Sequence, residues 1–193
     1  MAEKSVLTGK EILLSALRNE TTLRPAWAPF VGVHGGKLIG ATATEYLQSA
    51  DLIVQGQRKA FELYKPDGLP IVFDLQLEAE VLGCKLHWAD EVPPSVVSHP
   101  LSSKELEDLP AFDTTKGRFP LVADASRRLA AEIGGEVALY GLITGPFTLL
   151  SHLRGSDLFM DLMLDPDRVK KYMVYCTKIA NATADFYLKN GAD

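Results

Sequence analysis

An α/β chain of parallel strands covered by helices is the architecture this sequence predicts, and three observations predict it. Apolar runs of strand length, at 27–33, 69–73 and 136–143, show no alternation, so both faces of each should be buried. Amphipathic helical patterns separate those runs. Each run empties into glycine or a polar residue, as in GVHGG, IVFD and LITGP, which is where a βα loop begins.

The elements follow in order. LTGKEILLSALRNE opens on Thr8 and Glu11, a T-x-x-E capping box, and Ile12, Leu13, Ala16 and Leu17 share an apolar face. RPAWAPFVGVH is the first strand, with a glycine-softened loop over 34–40. TATEYLQSADLIVQGQRKAFELYKP reads as one or two helices, and DGLPIVFD as a turn and a strand ending on Asp74. A short helix, a fourth and shorter strand (84–88) and a proline-rich loop come next, and residues 104–119 read as surface loop. LVADASRRLAAEIGGE is a helix ended by a glycine pair, and VALYGLITGP a nearly unbroken apolar strand. The last helix has Asp165 as its N-cap and Pro166 at its first position, with Gly191 past its end. Its stripe is Val169, Tyr172, Met173, Cys176, Ile179, Thr183 and Phe186. KNGAD should then lead into another strand. A complete (β/α)8 barrel takes about 250 residues, so 193 residues of this pattern read as the first part of one.

Bulk properties exclude several classes. A net charge of -5 with interspersed acids and bases argues against nucleic-acid and anionic-membrane partners. The start is too polar for a signal peptide, and no stretch approaches the roughly 20 apolar residues of a membrane span. Two distant cysteines, Cys84 and Cys176, fit reduced thiols in a cytoplasmic protein.

Four places carry polar groups with chemical potential. GVHGGKLIG is no phosphate loop, since one residue is missing before Gly36-Lys37 and Leu38 replaces the hydroxyl. What remains is either a plain turn or a ligand loop with His34 and Lys37 as handles. Asp74 ends a strand, where catalytic side chains of parallel sheets collect; it either serves a ligand or caps the next helix, and Glu78 is placed to face the same cavity. After the long strand, Gly145 and Pro146 start a helix carrying Phe147 and His152, the histidine either an acid, base or donor or a packed core residue. Cys84 and His87 have metal-like spacing, but no second pair nearby completes a zinc site.

Taken in order, KEILLSALRNE, RPAWAPFVG, EYLQSADLIVQGQRKAFELYKPDGLPIVFDLQLEAEVLGC, GRFP, GLITGPFTLLSHLRG, DLMLDPDRVKKY and KNGAD resemble the amino-terminal part of the uroporphyrinogen decarboxylase superfamily. That superfamily also holds zinc-dependent, corrinoid-linked methyltransferases such as methylcobamide:coenzyme M methyltransferase. The resemblance implies one domain over 1–193, a TIM barrel cut after its fourth or fifth βα unit, with the active site at the strand ends. It implies Asp74 and His152 as catalytic residues, Asp74 standing where the decarboxylase aspartate receives pyrrole N–H groups and His152 where decarboxylases have a tyrosine. His34, Lys37, Glu78 and Phe147 would bind substrate. The first loop departs from the decarboxylase pattern R-Q-A-G-R-Y, because no arginine occurs between Arg24 and Arg58 to pair substrate carboxylates.

The resemblance therefore favours the methyltransferase branch, transferring a methyl group from a methylcobamide to a thiol. Zinc would be its cofactor, on ligands that lie outside these residues, and a small molecule or a corrinoid protein its partner, with a homodimer as the expected self-association. Uroporphyrinogen decarboxylation, which needs no cofactor, is the alternative. A non-catalytic barrel half that pairs with a second chain is the third reading.

Overall fold

The structure, a computed structural model, describes residues 7–193. The polar residues 1–6, on which the leader reading partly rests, lie outside the described residues. Thr8 and Glu11 cap α1 (Gly9–Leu17) reciprocally: the Glu11 amide donates to the Thr8 hydroxyl at 3.2 Å and the Thr8 amide to the Glu11 carboxylate at 2.7 Å. Only the first half of the helix meets the sheet. Ile12 is buried, whereas Ala16 and Leu17 of the expected apolar face are exposed, Leu17 by 75%.

The expected first strand, 27–33, is not a strand. It runs beside the next one, with the Trp27 carbonyl accepting the Asp67 and Gly68 amides at 2.8 and 3.4 Å. Pro25 and Pro29 have no N–H to give, and no ladder follows. The expected loop at 34–40 begins as a helical turn, α2 (His34–Lys37). The helical stretch after it is two helices, α3 (Ala43–Leu47), with a Thr42–Glu45 capping box, and α4 (Ala50–Tyr64), capped by Ser49.

β1 (Gly68–Pro70) is followed by α5 (Leu77–Val81). The run 84–88 forms only β2 (Leu86–His87), which pairs antiparallel with β3 (Ser95–Val96), so it is a side hairpin and not a member of the parallel sheet. A run interrupted by Lys85 and His87 is apolar on one face at most, which suits an edge hairpin. The surface loop expected over 104–119 holds only in part: it contains a 3-10 turn at Leu106–Asp108 and buries Leu109, and at its end Arg118 and Phe119 turn inward to start α6 (Phe119–Glu132).

β4 (Ala138–Tyr140) pairs with β1 in parallel, Gly68 opposite Ala138 and Pro70 opposite Tyr140, and the Ile71 amide extends the pairing to the Tyr140 carbonyl at 3.0 Å. α7 (Pro146–Arg154), α8 (Asp157–Leu164) and α9 (Pro166–Lys189) complete the order. Asp165 caps α9 through the Arg168 amide, and Gly191 takes a φ of +100° past its end, as the sequence predicts. Asp193 then lies along the free edge of β4, its amide donating to the Leu139 carbonyl at 2.8 Å.

Two apolar clusters hold these layers. Ile53, Leu69, Ile71, Phe119, Leu129 and Leu139 fill the space between α4, α6 and the sheet. Leu149, Leu153, Leu158, Tyr172 and Cys176 join α7, α8 and α9. Each such side chain contributes on the order of 2 kcal/mol when fully removed from water. The result is a mixed α/β chain with parallel strands, as expected. Among the described residues no helix is long and apolar enough to cross a membrane.

The glycines of HGGK are explained by packing. A Cβ at Gly35 would stand 2.6 Å from the Tyr46 hydroxyl, and one at Gly56 2.6 Å from the Gly35 carbonyl. α2 and α4 therefore touch backbone to backbone around a fully buried Tyr46. These glycines cradle a tyrosine of the chain itself.

Candidate functional site

Past the carboxyl end of β1, the chain carries Asp74 into the interior, where it is 1% exposed. It does not cap α5: Gln76 is the N-cap residue, and the Asp74 carboxylate instead accepts the Gln76 amide at 2.8 Å in a local turn. Its other oxygen accepts from Nη1 of Arg118 in a short ion pair. The same guanidinium donates through Nε to Glu80 at 2.9 Å and lies 4.8 Å from the centre of the Trp88 ring. Burial works against its charge, but Asp74 and Glu80 outweigh that and hold the Arg118 pKa above the usual guanidinium value. Nη2 of Arg118 is buried without a partner among the described residues.

Glu78, one turn on, is also 1% exposed and meets the loop after β4: the Thr144 amide donates to it at 3.2 Å, and the Thr144 hydroxyl stands 2.8 Å from its Oε2. Burial pushes its carboxyl above the usual range, although the contacts with Thr144, its own backbone amide and Thr183 oppose this. Tyr187 of α9 closes the base of the site. A Cβ at Gly141 would lie 2.2 Å from its ring, so only glycine lets the chain leaving β4 pass this close. Its hydroxyl is buried and unpartnered, and burial raises its pKa.

His152, on α7, is half-buried, with Nδ1 enclosed and unpartnered. Burial lowers its pKa, the neighbouring His99 lowers it further, and Asp74 acts in the opposite sense. Its carbonyl, and not its ring, receives the His99 imidazole at 2.8 Å and the Cys84 thiol at 3.5 Å. Phe147 is 45% exposed at the start of α7. Asp74 and Glu78 are thus buried beside each other after β1, whereas the direct contacts of His152 are with His99 and Cys84, and Asp74 reaches it only through its charge.

His34 and Lys37 are not joined to that group. His34 is exposed, with Nε2 2.8 Å from the Tyr64 hydroxyl at the far end of α4, and Lys37 reaches out to Glu91 at 3.3 Å. The helical turn of α2 aims both outward because its inward positions are taken by Gly35 and Gly36. Cys84 and His87 also diverge, one buried and one exposed.

Among the described residues no group of three or more His, Cys, Asp or Glu side chains is arranged to hold a metal ion. Cys84 and Cys176 are buried, with their thiol pKa values pushed up to about 12, so neither is a ready thiolate. The described residues do not fit a zinc centre. The functional group that sequence reasoning missed is Arg118. The only local signal for it is an arginine directly before an apolar helix start, in GRFPLV.

A buried carboxylate–guanidinium cluster at the carboxyl ends of parallel strands places this chain among α/β proteins whose polar site lies where the βα loops converge. The chain belongs to the uroporphyrinogen decarboxylase family, whose model, Uroporphyrinogen decarboxylase (URO-D), matches residues 8–193. It is 30% identical over 129 residues to the methylcobamide:CoM methyltransferase MtbA of Methanosarcina acetivorans, covering 66% of this chain and 38% of that protein. Uroporphyrinogen decarboxylase 2, chloroplastic, of Arabidopsis thaliana is 25% identical over 153 residues, covering 76% of this chain and 39% of that protein. A solved methyltransferase from Methanosarcina mazei superposes with a TM-score of 0.88 at 25% identity, over 97% of this chain and 58% of its own. The chain therefore spans well under two thirds of each of these relatives.

Proposed function

We propose that this chain forms the strand-end pocket wall of a methyl-transferring enzyme of the family, one that passes a methyl group from a methylcobamide to a thiol. In this reading the parallel pair and its helices are the first part of a (β/α)8 barrel, a view supported by the superposition and by Asp193 lying along the edge of β4.

One observation carries the choice of branch. Asp74 is already satisfied by Arg118 and the Gln76 amide, which leaves little of the carboxylate to collect the several N–H groups of a tetrapyrrole. The first loop adds no anchor for a polycarboxylate, because Lys37 is spent on Glu91 and no arginine stands there. The methyltransferase likeness, at 30% identity against 25% for the decarboxylase, points the same way.

Within this chain, Arg118 holds Asp74 and Glu80 in one charged wall, and Trp88 covers its face. Zinc would activate the acceptor thiol in such an enzyme, but no ligand set for it exists among the described residues, and no step is derived through it. The test is the product made by the protein as its gene encodes it. With methylcobalamin and 2-mercaptoethanesulfonate, the expected products are the methyl thioether and cob(I)alamin, reduced on replacing Arg118 by Met. Loss of carboxylates from uroporphyrinogen III, with no thioether formed, overturns the reading.

A further inference from the structure

We infer that Glu78 stands in this protein as a neutral carboxylic acid that donates its proton to Thr144, a positioning residue that ties the loop after β4 to the loop after β1. The count of hydrogens carries this. The Thr144 hydroxyl has one hydrogen and two oxygen neighbours, the Leu75 carbonyl at 2.9 Å and Glu78 Oε2 at 2.8 Å. A carbonyl oxygen only accepts. If the hydroxyl gives its hydrogen to Leu75, Oε2 must bring its own, and both contacts become hydrogen bonds. The opposite assignment sets two lone pairs against each other at Leu75 and buries an anion.

That anion would have no cation. Among the described residues, no lysine or arginine forms an ion pair with Glu78, and the ion pairs of Arg118 go to Asp74 and Glu80. The other groups facing it are the buried hydroxyls of Thr183 and Tyr187, which are neutral; Thr183 favours the anion, but burial outweighs it. An uncompensated buried carboxylate takes up a proton sooner than bear that cost. The inference is independent of the reaction proposed above.

The sign of the pH effect follows. The folded chain keeps a proton that the unfolded chain loses above about pH 4.3. Stability therefore falls as pH rises from there through the raised folded pKa. Glutamine reproduces the acid: its NH2 donates to Thr144 Oγ1 and its oxygen accepts the Thr144 amide.

The experiment compares thermal melts of the parent, Glu78→Gln and Glu78→Ala from pH 4 to 8. Glu78→Gln is expected to melt at or above the parent at neutral pH and to lose this part of the alkaline decline. Glu78→Ala is expected to melt lower by about 3 °C or more. Infrared spectra of the parent should show a carboxylic-acid C=O band at neutral pH that the Gln variant lacks. A Gln variant as unstable as the Ala variant, or unable to fold, overturns the inference, as does the absence of that band from the parent.

Discussion

β1 is flanked by two buried aspartates, and they are built differently. Asp67, just before the strand, is 1% exposed and is met by a bidentate Arg24 at 2.5 and 2.6 Å and by the Trp27 amide at 2.8 Å. Burial tends to raise its pKa, but Arg24 and the Trp27 amide outweigh this and hold it below the usual carboxylate range. Arg24 is half in water, so the pair is a staple at the surface. Asp74, just after the strand, is as buried, yet its arginine is buried too, is shared with Glu80 and keeps one nitrogen unpartnered. The start of the strand is closed by a complete ion pair. Its end carries an incomplete one, and incompleteness is what a ligand site needs.

That contrast can be broken, beginning with its largest effect. Arg118→Met leaves Asp74 buried without its cation, and should cost about 3–5 kcal/mol of stability in denaturant unfolding. A loss under about 1 kcal/mol would show that Asp74 is not a charged, paired group. Asp67→Asn removes the fork acceptor at the other end. Because water screens the half-exposed Arg24, the loss should be smaller, about 1–2 kcal/mol. Asp67 carries a lowered folded pKa, so its stabilisation is present above the ordinary aspartate range and is lost as pH falls through the folded value. Melts of the parent and Asp67→Asn should therefore converge on acidification. Arg24→Lys, which keeps the charge and loses the fork, should give the smallest shift in the unfolding midpoint, below that of Asp67→Asn.

What was legible in the sequence was local. The capping box of Thr8, the Asp165–Pro166 start of α9 and the place of Asp74 after an apolar run each depend on residues within a few positions. Arg118 was not legible because it sits 44 residues from Asp74, in a stretch whose charge, proline and glycine look like surface loop. Asp67 reads as a turn residue in PDG, and nothing nearby announces that Arg24 reaches it. The 27–33 run misleads for a simple reason: apolarity implies burial, but a strand also needs a ladder of N–H groups, and Pro29 interrupts it while Pro25 precedes it. HGGK misleads in the opposite way, since glycines that look like room for a ligand are room for Tyr46.

Arg118 is also the N-cap residue of α6, whose first turn contains no acidic side chain. A cation at that end opposes the helix macrodipole, which prefers negative charge there. Asp74 and Glu80, from across the interior, supply the missing anions. The start of α6 is therefore electrostatically seated on the site carboxylates, and an occupant that draws Asp74 or Glu80 away from Arg118 unseats it. Amide hydrogen exchange in the first turn of α6 should then report ligand binding at the end of β1, with no part of the helix touching the ligand.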